Sequence, residues 1–152
     1  MQTKNQLVAV DPRTEHIVAR YALPGFDEPH GFVLDEAGRL AFISNQGNSN
    51  QGNATLEVVD LRTMRVLSTH QVGHEPDVLA WDAQWRMPYV ASEGGVLSSF
   101  AVNGGALQAL PELRIAHAHT VAVDPKTHRV YLPLENVNGR PVLRIFVPAT
   151  TH

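Results

Sequence analysis

Apolar residues in this chain fall in short runs, such as Leu7-Val8-Ala9-Val10, Leu40-Ala41-Phe42-Ile43 and Leu56-Glu57-Val58-Val59. Few stretches place them at the three- and four-residue spacing of an amphipathic helix. Clusters of Gly, Pro, Asn and Asp break the runs roughly every 8–12 residues. Short β-branched and aromatic runs punctuated in this way predict an all-β protein.

The runs also repeat. Residues 28–47 (EPHGFVLDEAGRLAFISNQG), 75–94 (EPDVLAWDAQWRMPYVASEG) and 117–136 (HAHTVAVDPKTHRVYLPLEN) align without gaps at offsets of 47 and 42 residues. Each opens with a short strand ending at Asp35, Asp82 or Asp124, turns, and continues into a strand around Phe42, Tyr89 or Tyr131. A second element alternates with the first: residues 7–25 (LVAVDPRTEHIVARYALPG) match residues 56–73, with 97–113 a looser copy and 141–152 supplying only its first strand. With the four strands of a unit written a to d, the chain reads cd, abcd, abcd, abc. A four-stranded unit recurring at this period is the signature of a β-propeller blade. The expected fold is therefore four-stranded antiparallel propeller blades, about three to the chain. They form one partial domain over 1–152: strands c–d in 1–25, blades in 26–73 and 74–114, and an incomplete terminal blade in 115–152.

The segments PHGFVLDEAGRLAFISNQG, LEVVDLRTMRVLSTHQVG and HTVAVDPKTHRVYLPLEN resemble the repeats of the YVTN/YncE-like seven-bladed propellers. THRVYLPLEN followed by GRPVLRIFVP is similar to a closing blade of that family. The resemblance implies a counterpart of the C-terminal half of such a protein, compatible with a periplasmic or secreted parent. Because the fold hosts many activities, it implies little about chemistry. Two complete blades with fragments on either side expose strand edges and apolar faces. The expectation is a homodimer in which strands of one copy complete the blade of another.

Composition narrows the partners more than the reaction. A net charge of −3 and a pI near 6.2 offer no general attraction to nucleic acid or anionic membrane, so neither is expected as a partner. No run reaches the ~18 apolar residues of a membrane helix, and the first residues lack a signal-peptide core. Cysteine is absent, which removes thiol chemistry and disulfides. Histidine is enriched, at eight residues.

Repeat alignment sorts those histidines. His30, Asp77 and His119 share one place at the start of strand a, and Glu28, Glu75 and His117 share the place two residues earlier. The b–c corners contribute Asn45, Glu93 and Glu135. In a propeller all of these surround one mouth of the central channel. His30 and His119 are the candidate metal ligands, for Zn, Cu, Fe or Ni. Glu28, Asn45, Glu75 and His117 are candidate ligand-binding residues, and Asp77, Glu93 and Glu135 candidate catalytic carboxylates. Three readings follow: a module binding a small-molecule ligand or metal at the channel mouth, a metal-dependent hydrolase of lactonase or esterase type, or an interaction scaffold without metal. His128 falls in an a–b turn on the far side and reads as a surface residue, while Trp81 and Trp85 read as packing between blades. The Asn/Gln/Gly-rich stretch 45–53 reads as a flexible loop.

Overall fold

The computed structural model describes residues 4–47, 54–104 and 106–148. Most of stretch 45–53 thus lies outside the described residues. Fourteen strands and no helix longer than a turn make up these residues, arranged in consecutive antiparallel sheets. The first sheet is the hairpin β1 (Gln6–Val10) and β2 (Ile17–Ala22). The second orders β3 (Pro29–Asp35), β4 (Leu40–Asn45), β5 (Thr55–Asp60) and β6 (Arg65–Gln71) in sequence. The third contains β7 (Pro76–Asp82), β8 (Met87–Ser92) and β9 (Val96–Asn103). Its outer place is divided: β10 (Ala106–Ala109) pairs with the far half of β9, and β11 (Leu113–Arg114) with the near half. Leu110 still donates its N–H to the Ser99 carbonyl of β9, and Pro111 and Glu112 then interrupt the ladder, since proline brings no N–H to it. The fourth sheet holds β12 (Ala122–Asp124), β13 (Arg129–Val137) and β14 (Arg140–Phe146). Pro133 is tolerated inside β13 because β12 pairs only as far as Tyr131.

Three cores lie between neighbouring sheets. Leu23, Phe26, Ala41, Ile43 and Val59 join the first sheet to the second. Leu56, Val58, Leu79, Val90 and Phe100 join the second to the third, where Phe42 stacks on Trp81 with centroids 5.1 Å apart. Tyr89, Leu97, Ala118, Val130 and Leu132 join the third to the fourth. Every residue of β4 and β8 is buried, because each of these strands is covered on both faces. That explains why LAFISN and MPYVAS lack clean alternation: a strand between two packed layers is apolar on both sides.

The turns repeat as closely as the strands. Asp11, Asp60 and Asp124 each accept a backbone N–H two residues on, from Arg13, Arg62 and Lys126. Their carbonyls accept the N–H four residues on, from Glu15, Met64 and His128. Those three residues are left-handed, with φ of 58°, 52° and 58°.

Candidate functional site

The candidate site forms where β3, β7 and the segment before β12 come side by side. Gly31 makes this approach possible: its Cα packs against the Asp77 carbonyl and the Leu79 side chain, leaving no room for a Cβ. The Ser44 hydroxyl donates to the Gly31 carbonyl at 3.2 Å and accepts its N–H at 3.1 Å, holding that point of β3. His30 and Asp77, which flank the approach, then meet. His30 Nε2 lies 2.8 Å from Asp77 Oδ1. From the other side His119 Nδ1 lies 3.3 Å from Asp77 Oδ2, with the Thr120 hydroxyl 3.2 Å from the same nitrogen. His119 Nε2 faces Glu135 Oε1 at 3.7 Å.

With Asp77 ionised, the distances fit one arrangement of protons on these rings. An ionised carboxylate only accepts, so the ring nitrogens turned to Asp77 carry hydrogen. Neutral His30 is then the Nε2–H tautomer and neutral His119 the Nδ1–H tautomer, leaving lone pairs on His30 Nδ1 and His119 Nε2. The His119 lone pair points towards Glu135, and two electron-rich groups face each other across 3.7 Å. Such a pair offers two lone-pair donors to a cation placed between them.

A cavity of about 240 Å³ opens beside this point, lined by Glu93, His117, His119 and Glu135. Glu28, Glu75 and His117 occupy left-handed backbone, with φ of 51°, 53° and 62°. The carbonyls of Glu28 and Glu75 accept N–H groups from Gln46 and Glu93, tying each sheet's entry loop to its own β-corner. The Glu75 carboxylate lies 3.6 Å from His74 Nδ1. Asn45 is placed differently: it is 1% exposed, and its Nδ2 donates to Thr55 Oγ1 at 3.2 Å, behind the mouth rather than lining it. Among the described residues, no three His, Asp or Glu side chains converge as a formed metal site.

Two features escaped the sequence reading. His128 is not a free surface residue: its Nδ1 meets Asp82 Oδ2 at 2.7 Å, its ring stacks on Trp85 at 3.8 Å, and its side chain is 18% exposed. The partner lies in the preceding sheet, 46 residues away, so no local pattern announces it. Glu57 is fully buried in β5 against Gly25, with both carboxylate oxygens unpaired. Burial pushes its carboxyl up to about 7, with Asn45 opposing weakly. Its signal was available, a charge inside the apolar run Leu56-Glu57-Val58-Val59 where the first repeat carries Val8.

Comparison with solved structures decides the architecture. The β-propeller domain of Myceliophteria thermophila Cps50 (Swd1) superposes with a TM-score of 0.66 at 16% identity, over 95% of this chain and 54% of that one. The fold is a β-propeller. Kuenenia stuttgartiensis hydrazine synthase matches with a TM-score of 0.73 at 16% identity, over 96% of this chain and 44% of its own. The dihydro-heme d1 dehydrogenase NirN matches at 0.62 and 18% identity, over 97% of this chain and 34% of its own. The chain therefore spans about half or less of each propeller-containing chain. No family model and no curated protein matches its sequence. At these identities the likeness carries the fold alone.

Proposed function

We propose that this chain is a propeller binding module whose channel mouth captures a small cationic ligand, of which a divalent transition metal ion is the simplest case. One observation carries the reading: Asp77 bridges His30 and His119 and turns the His119 lone pair towards Glu135 and the adjoining cavity. A histidine that donates one ring N–H to a carboxylate presents a better-oriented, more basic nitrogen on its other side. Glu93 and Glu135 add hard negative donors, and His117 a second imidazole. Glu135 is 78% exposed, so its side chain is free to swing inwards as the ligand arrives. The same donors would polarise a carbonyl if a metal were bound, but nothing in their placement singles out hydrolysis. The YVTN/YncE-like character of the repeats is part of the same reading, supported by the three aligned segments and the propeller fold.

Equilibrium dialysis against zinc, copper and nickel, with metal analysis of the protein, tests the proposal. One equivalent retained by the native chain, at least tenfold weaker retention by His119→Ala, and a smaller loss in His30→Ala are expected. Binding should weaken as pH falls, because protons compete with the cation for the imidazole lone pair. Native protein that retains no metal, or variants that retain it equally, would contradict the reading.

A further inference from the structure

Two of the three junctions between neighbouring sheets, second to third and third to fourth, are closed by the same latch. At the end of β3, Asp35 Oδ1 accepts the Gly38 N–H of its own turn, while Oδ2 accepts from Arg86 Nη2 of the third sheet at 3.1 Å. At the end of β7, Asp82 Oδ1 accepts the N–H groups of Gln84 and Trp85, while Oδ2 meets His128 Nδ1 of the fourth sheet. Arg86 and His128 hold equivalent places, four residues beyond a turn aspartate, both in left-handed backbone with φ of 53° and 58°. The rule is that one carboxylate oxygen caps its own turn, and the other receives a basic side chain from the next sheet.

Each half of this latch occurs once more, unmatched. Arg39 holds the equivalent place after Asp35, with φ of 54°, and is exposed. No carboxylate among the described residues forms an ion pair with it. Asp124 bonds only within its own turn, to Lys126 N–H at 3.0 Å and the Thr127 hydroxyl at 2.7 Å, and receives nothing from another sheet. Apolar faces accompany both halves. On β3 of the same sheet as Arg39, Phe32 and Leu34 are 58% and 42% exposed. On the outward face of the fourth sheet, Leu143 and Ile145 are 57% and 50% exposed, paired in register with Pro133 and Tyr131.

We infer that these two surfaces meet between two copies of the chain, with Asp124 of each copy receiving Arg39 of the other. A second copy is the occupant argued from complementarity: Asp124 is engaged only within its own turn, and Arg39 has no ion pair among the described residues. A two-fold axis forms the contact twice. Because β14 and β1 are repeat counterparts, only one can hold the third-strand place in the shared sheet. β14, with seven residues against five, fills it next to β2 of the other copy, and β1 gives up its hairpin pairing with that β2. The pair then contains the two complete sheets of each copy and two shared ones, about six blades, within the range of closed propellers. The inference rests on the sheet ends and is independent of any ligand at the channel mouth.

Charge reversal gives a test that controls itself. By light scattering, the native chain should have twice its 16.7 kDa mass. Arg39→Glu alone and Asp124→Lys alone should each be monomeric, since both contacts then oppose like charges. An equimolar mixture of the two variants should return to the dimer mass, because every contact again pairs opposite charges. A monomeric native chain, dimers that survive either single reversal, or folded variants that fail to recombine would overturn the inference. Should a reversed variant fail to fold, Arg39→Cys combined with Asp124→Cys takes its place. The chain has no other cysteine, so a short bismaleimide should link two copies covalently, and absence of that product would also count against the contact.

Discussion

Glu57 shows how one side chain can make stability depend on pH. Burial pushes its folded carboxyl up to about 7 against an ordinary 4.5, outweighing the opposing effect of Asn45. The folded state therefore holds this proton more tightly than the unfolded state. Its contribution is complete below about pH 4.5 and is lost as pH rises through 7. Glu57→Gln keeps the shape and removes the charge. In urea denaturation at pH 8 the variant should be more stable than the native chain by about 2–3 kcal/mol, with the difference vanishing near pH 4. The His128–Asp82 pair stabilises a junction by direct contact. His128→Ala leaves Asp82, which is 0% exposed, without its partner, and should cost about 3 kcal/mol by the same measurement. Repeat alignment alone brought His30, Asp77 and His119 to one place, because equivalent positions in adjacent blades are neighbours in space. It could not show that Asp82 and His128 meet, since these occupy different positions in their repeats and touch only across a junction. Nor could it show that Asn45 turns inward while Glu93 and Glu135 line the cavity.

Strands and turns are legible for a simpler reason: their local physics repeats. An Asp that caps its own turn and a left-handed residue four places on recur from Asp11 to Asp124. The all-β class, the antiparallel four-stranded sheets and the apolar character of β4 and β8 were readable from residue types alone. The division of the outer strand of the third sheet into β10 and β11 was not, although Pro111 marks the break. Inter-sheet spacing is an element-scale property set by small residues. Gly31→Ala would push β3 away from the Asp77 carbonyl, costing about 1–3 kcal/mol and separating His30 from Asp77. Thermal melts should register the loss, and metal retention should weaken in step with it. Leu56→Ala, fully buried between the second and third sheets, should cost about 3 kcal/mol without touching the channel mouth. Dialysis should then show unchanged metal retention in the folded variant, separating packing from the site.

At the scale of the whole molecule, the propeller places like positions of successive blades around one mouth. This arrangement brings a dispersed set of His and carboxylate residues together. In the proposed reading, Asp77 fixes both imidazole tautomers and leaves His119 Nε2 free to take a cation. Long-range ¹H–¹⁵N spectra of the imidazoles, recorded at neutral pH before and during zinc titration, test it directly. The account predicts protonated Nε2 on His30 and protonated Nδ1 on His119 at the start, then a stoichiometric shift of the His119 Nε2 resonance while His128 stays unchanged. Unaltered His119 resonances at several equivalents of zinc, or shifts confined to histidines away from the mouth, would contradict it.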